Sequence, residues 1–205
     1  MKKTLLIIIA TVILISSCSP TQNSVRQKKP DIMITKITKE HFIGCWQIAP
    51  SFAAGIMDSH WFFEDGKYRF GFNEMDGLKR IIEREGIWKI ENNKVEITIV
   101  SQTCYEGGKI IWDDAFGYMR EDHELKLEMI EPPKILIYEI IDLRYDFNVD
   151  DIHFNEENQG KYLTATFGSK QYWKIRDPKD PYKKQLWEYY QSEYAKPIDQ
   201  RWKDD

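Results

Sequence analysis

The sequence has little of what usually announces chemistry. Its four histidines (His41, His60, His123 and His153) lie far apart, and none pairs with another His or Cys at a metal-ligand spacing. There is no Gly-x-Ser-x-Gly elbow, no phosphate-binding glycine loop and no dinucleotide fingerprint. Only three cysteines are present and no two form Cys-x-x-Cys, so nothing points to dithiol redox catalysis. Close carboxylates such as Glu83/Glu85 and Asp113/Asp114 do occur. With 33 acidic residues in the chain such pairs arise by chance, and they read as solvated faces. Basic charge is not in excess: 29 Lys and Arg stand against 33 Asp and Glu, which argues against a nucleic-acid partner. The expectation is a protein that is not an enzyme and needs no cofactor.

Long hydrophobic runs are missing too, except at the start. Lys2 and Lys3 precede an apolar run from Leu5 to Ile15 dominated by Leu and Ile. Eleven residues of helix cover about 16 Å, well short of a hydrocarbon core of ~30 Å, so the run fits an export signal over 1–17 better than a permanent span. Ile15-Ser16-Ser17-Cys18 resembles the lipobox of bacterial lipoproteins. That resemblance implies cleavage before Cys18, lipidation of Cys18 and anchoring in the cell envelope. Ser19, where Asp would retain many such proteins at the inner membrane, implies the outer membrane. The alternative is an ordinary secreted protein with a chance cysteine near its cleavage site. One acyl chain holds only weakly, but the two or three chains of this family would make the membrane a stable partner. Loss of Lys2 and Lys3 with the signal takes the formal charge from −4 to −6.

Residues 18–33 carry the anchor and a polar, proline-containing stretch, SPTQNSVRQKKPD, that reads as a flexible tether. Residues 34–205 read as one folded domain. Lys39-Glu40-His41-Phe42 has the look of a short helix or turn, and Ile43–Ile48 of a first strand. From Ser59 to Val100, aromatic and alternating runs are divided by Asp65-Gly66 and Asn92-Asn93, pairs that suit the left-handed backbone of tight hairpins. Turns are expected again at Glu106-Gly107-Gly108 and at Glu121-Asp122-His123. Glu131-Pro132-Pro133-Lys134 is expected to be a loop, because prolines cannot serve a central ladder. KILIYEIIDLRYDF, apolar on both faces, is expected to be bent or buried on two sides. An acidic loop follows from Asp146 to Gly160, and a last hairpin turns at Gly168-Ser169. About ten strands with little helix between them favour an all-β, antiparallel up-and-down meander closing into a barrel. Asp180-Pro181 then opens a C-terminal helix over 181–196, whose Tyr182, Leu186, Tyr189, Tyr190 and Tyr194 recur at helical spacing and would pack on the outside of the barrel.

Gly44-x-Trp46, then Trp61-x-Phe63-x-Asp65-Gly66-Lys67-Tyr68, Gly86-x-Trp88-x-Ile90 and Val95-x-Ile97-x-Ile99, resemble the lipocalin-like domains of small bacterial lipoproteins. The resemblance covers Ile43 to about Val100, and beyond that only strand count and a terminal helix. It implies a β-barrel in which Gly44 and Trp46 close one end, with Arg176 as the basic residue over the tryptophan, a structural pair. It also implies a binding function.

With Cys18 lipidated, Cys45 and Cys104 remain as an even pair in an oxidising compartment. A bridge between them would close a loop of about 60 residues and contribute roughly 4 kcal/mol in the chain-entropy picture; two buried thiols are the alternative. Asp146-x-Asn148-x-Asp150 followed by Glu157 matches four positions of a calcium loop, but Asp151 stands where the turn needs glycine, and an ordinary acidic loop is the competing reading. Two functions follow. One is a non-catalytic binding module with a cavity for a small apolar or amphipathic ligand. The other is an envelope adaptor or inhibitor with a filled barrel, acting on an envelope protein through its outer surface.

Overall fold

A computed structural model of the chain describes residues 30–49, 57–73, 76–114, 117–146, 162–196 and 200. The signal, Cys18, most of the tether and the calcium candidates Asn148, Asp150 and Glu157 lie outside them. The described residues build ten strands: β1 (Ile32–Met33), β2 (Gly44–Gln47), β3 (Ser59–Phe62), β4 (Lys67–Gly71), β5 (Ile81–Glu91), β6 (Lys94–Asp113), β7 (Gly117–Glu139), β8 (Ile141–Asp146), β9 (Tyr162–Phe167) and β10 (Lys170–Arg176). One helical turn, α1 (Lys39–Phe42), precedes β2, and α2 (Pro181–Ala195) follows β10. All ten strands join one antiparallel sheet in the order β1-β8-β9-β10-β2-β3-β4-β5-β6-β7. The mostly antiparallel β class, the up-and-down order and the C-terminal helix all agree with the sequence reading.

Turn chemistry explains the meander. Asn92 and Asn93 both hold positive φ (51° and 57°), as do Gly168 and Ser169 (57° and 63°), which matches the twist of the strands they join. At the β3–β4 turn, Gly66 sits at φ 86° and the Phe63 N–H donates to the Lys67 carbonyl at 3.0 Å.

Three expected breaks are not breaks. Gly107-Gly108 lies inside β6 and Glu121-Asp122-His123 inside β7, with Gly107 opposite His123 and Lys109 opposite Glu121. Gly107, Gly108 and Asp122 take positive φ, so they distort a long two-stranded ribbon, and the chain reverses only between Asp113 and Gly117. Glu131-Pro132-Pro133-Lys134 also belongs to β7. The prolines are tolerated because β7 ends the sheet and the register jumps there, Met129 facing Ser101 and Lys134 facing Ile99. At the other end, Ile32 and Met33 of the expected tether form β1, paired with Tyr145 and Arg144 of β8.

The sheet folds back on itself at Ile140. β7 and β8 sit far apart in the sheet order, yet only this buried residue separates them in the chain, and its N–H donates to the Asn93 carbonyl at 2.9 Å. The bend expected in this apolar stretch is therefore real. Along the inner face, rings pack on rings: Phe42 on Trp46 (5.0 Å between centroids), Phe62 on Trp88 (5.0 Å) and Phe167 on Tyr172 (4.2 Å). Phe42, Trp46 and Phe62 are wholly buried and Phe167 nearly so. Two buried indole N–H groups find carbonyls: Trp46 Nε1 donates to Phe42 (2.8 Å) and Trp88 Nε1 to Phe63 (2.9 Å).

Candidate functional site

The alternation of strand residues sends Trp46, His60, Phe62 and Tyr68 to the inner face and Cys45, Trp61 and Arg69 to the outer one. α2 covers part of that outer face. Its Trp187, Tyr190 and Tyr194 stand 5.9, 5.3 and 4.9 Å from the Trp61 ring, and Trp187 also meets Phe63 at 5.5 Å. The expected tyrosine stripe is therefore partly right: Tyr190 and Tyr194 pack inward, Tyr189 is exposed, and the anchor is Trp187, which the tyrosine spacing passed over.

Where α2 ends, an open cleft of about 680 Å³ remains against β4, β5 and β6, bordered by Phe63, Val100, Leu127 and Tyr194. This volume lies within the range of small-molecule sites. Its floor is charged. Arg69 and Glu83 form an ion pair although each is only 5% exposed. Thr103 Oγ1 donates to Glu83 at 3.4 Å, and the Arg69 guanidinium lies 3.8 Å from the centre of the Tyr194 ring. The sheet register explains the grouping: Arg69 faces Glu85, Glu85 faces Ser101, and Glu83 faces Thr103, all on the α2 side. Glu83 is thus no solvated carboxylate. The arrangement offers apolar walls, hydroxyls and fixed charges; it is suited to holding an amphipathic molecule.

The inner face holds one titratable pair. His60 is buried among Phe62, Phe70, Phe167 and Tyr172, and its Nδ1 meets the Tyr68 hydroxyl at 2.8 Å. Burial holds the His60 pKa down to about 3 and pushes the Tyr68 phenol well up, so both are neutral near pH 7.

The residues expected to close the barrel are only partly together. Gly44 adopts φ 140°, and a Cβ there would overlap the Arg176 carbonyl oxygen and the Lys174 side chain, so the Gly-x-Trp glycine serves the contact of β2 with β10. Trp46 packs inward as expected. Arg176 does not cover it: paired with Cys45 in the register, Arg176 faces α2, with its guanidinium 5.4 Å from the Tyr190 ring. The register break between Lys174 and Arg176 turns it outward. The basic residue opposite Trp46 is Lys174, buried and 2.9 Å from Asp177.

Cys45 and Cys104 are both buried and both free, so of the two alternatives the structure has the buried thiols and not the bridge. Three strands lie between their strands β2 and β6, a lateral separation on the order of 19 Å against the ~4.4–6.8 Å between Cα atoms that a bridge requires. The Cys104 thiol instead donates to Glu128 at 3.4 Å. Asp146 closes β8; the other calcium candidates lie outside the described residues, among which no group of three or more His, Cys, Asp or Glu could hold a metal.

No protein-family model, curated protein or solved structure matches the chain.

Proposed function

We propose that the chain is a non-catalytic binding module of the bacterial envelope, tethered to the outer membrane through a lipidated Cys18, with a lipocalin-like barrel whose ligand lies outside the barrel, in the cleft beside α2. Closure is supported by the one-residue step at Ile140. With β7 and β8 counted as a single bent wall, β2 to β6, β7–β8, β9 and β10 make eight walls, and Tyr138 of β7 lies 6.4 Å from Phe167 of β9 across the seam. The inward rings already occupy one another, which moves the search for a ligand to the outside.

The observation that carries the reading is the outer cleft of about 680 Å³, apolar at Phe63, Leu127 and Tyr194 above the buried Arg69–Glu83 pair. A ligand with one apolar body and one polar end matches it. The test is native mass spectrometry with lipid extraction on protein purified from its host. A co-purifying amphiphile at near-stoichiometric occupancy, reduced by Leu127→Arg, is the expected result. A clean apo mass, with no thermal shift from fatty acids or lysophospholipids, would reject the cleft as a ligand site.

An envelope adaptor or inhibitor is the second reading. It is favoured by Ile87, Ile135 and Ile137, exposed large side chains on the outer face, with Ile87 and Ile135 on either side of Thr98 and Ile137 two residues further along β7.

A further inference from the structure

β7 ends the sheet on one side, and most of its residues are exposed. Over Gly117–Glu139 its ladder runs to β6 alone, so its other edge has no strand partner among the described residues. Open edges of this length are templates for another strand. The usable part is bounded on both sides. Asp122, at φ 52°, interrupts the extended backbone before it, and Pro132, without an N–H, ends it. Between them lies His123-Glu124-Leu125-Lys126-Leu127-Glu128-Met129-Ile130-Glu131.

This segment complements itself. Leu125, Leu127 and Met129 share the outer face and are 40%, 61% and 62% exposed. Lys126 and Glu128 point to the opposite face. Laid antiparallel against its own copy about Leu127, the segment puts Leu127 opposite Leu127 and Leu125 opposite Met129. Lys126 then faces Glu128 twice, and His123 faces Glu131 twice. Moving the centre by one residue breaks this. About Lys126, two lysines meet and Glu124 opposes Glu128; about Glu128, two glutamates meet and Leu125 opposes Glu131. Like charges directly opposite are destabilising, so both neighbouring registers are disfavoured, and centres two residues away, at Leu125 or Met129, pair only five residues of the segment instead of nine.

We infer that the chain forms a two-fold symmetric dimer by antiparallel pairing of β7 with β7 of a second copy, centred on Leu127. The occupant is a second copy because the order of apolar and charged residues in this one segment complements its own reverse over the full nine residues. Such an interface is isologous, as a two-fold dimer requires. A nine-residue edge pairing with three apolar side chains from each copy is small beside a standard interface of ~800 Å² per partner, so the dimer is expected to dissociate on dilution.

Two experiments test it, both on the full-length chain in detergent. Sedimentation over a concentration series should show a reversible monomer–dimer equilibrium for the wild type. Lys126→Glu alone and Glu128→Lys alone should each be monomeric, since each brings like charges together twice. Their equimolar mixture should dimerise, because in the mixed pair every such contact is between opposite charges. Leu127→Cys, at an exposed position, should form a disulfide-linked dimer on mild oxidation, whereas Leu125→Cys and Met129→Cys should cross-link to one another and neither to itself. A wild type that stays monomeric at every concentration would overturn the inference. So would a mixture that associates no better than its components, or a Leu127→Cys chain that remains uncross-linked.

Discussion

Removing one member of the Arg69–Glu83 pair should be far more damaging than removing both. Each residue is 5% exposed, so a charge that loses its counter-ion there has little water to turn to. Breaking a buried pair from one side typically costs about 3–5 kcal/mol, and replacing both members by apolar residues is often neutral. In Glu83→Met the Arg69 guanidinium loses this carboxylate while its contact with the Tyr194 ring at 3.8 Å, worth up to about 2 kcal/mol, remains, and Thr103 Oγ1 loses its acceptor. In Arg69→Met the carboxylate of Glu83 keeps the Thr103 hydroxyl and loses the Arg69 guanidinium. At ~2–4 °C per kcal/mol for a domain of this size, either single variant should melt roughly 6–20 °C lower. The Arg69→Met/Glu83→Met double variant should return to within about 2 kcal/mol of the wild type. Urea unfolding of all four proteins at one pH gives the cycle directly. Two single losses that simply add in the double variant would refute the argument, since they would mean that the two charges do not depend on one another.

Gly44→Ala should lose about 2–4 kcal/mol in the same assay, since it combines a strained positive φ with overlap on β10, whereas Gly107→Ala, with open space around its Cβ, should lose clearly less. Intact-mass analysis without reductant should find both Cys45 and Cys104 unmodified in the native state and alkylated only after unfolding; a mass two hydrogens short would reverse the assignment of free thiols. His60 gives a pH dependence. Its folded pKa, about 3, lies below the unfolded value of ~6.5, so its contribution is complete above pH ~6.5 and is lost as pH falls toward 3, by up to roughly 1.4 kcal/mol per unit. The wild type should therefore lose about 2 kcal/mol more than His60→Phe between pH 7 and pH 5, and equal slopes would show that His60 takes no part.

Hairpins were legible in the sequence wherever the backbone demanded a special residue. Asp65-Gly66, Asn92-Asn93 and Gly168-Ser169 all turn where their chemistry says, because few residues tolerate positive φ. The same chemistry misled at Gly107-Gly108 and Asp122, where positive φ serves a bulged ribbon. Local composition does not distinguish the two uses; the pairing of β6 with β7 does. Pro132-Pro133 read as a loop because the sequence does not say which strand ends the sheet. The outer site was less legible still. Glu83 looked like any surface carboxylate, and only the β4–β5 register brings it beside Arg69, with Tyr194 arriving from a helix more than a hundred residues later. The family resemblance puts Arg176 over Trp46, but the register break before it reverses its face.

The division of labour between the two faces of the sheet follows from these placements. Inside, the polar groups answer one another, as His60 and Tyr68 do, within a shell of rings; a ligand entering there would have to displace aromatic contacts already formed. Outside, the balance is reversed. The ion pair under Tyr194 fixes charge beside a cleft, and from Leu127 the exposed apolar surface continues through Met129, Ile135 and Ile137 along β7. Leu127 belongs to both features, lining the cleft and standing at the centre of the proposed β7 pairing. Ligand and second copy would therefore meet at one residue. If an amphiphile in the cleft adds apolar surface beside Leu127, it should tighten the dimer; if it displaces that side chain, it should loosen it. Reciprocity then requires dimerisation to change ligand affinity by the same factor. Sedimentation with and without the bound amphiphile decides the sign, and an unchanged dimer constant would show that the two surfaces are independent despite sharing Leu127.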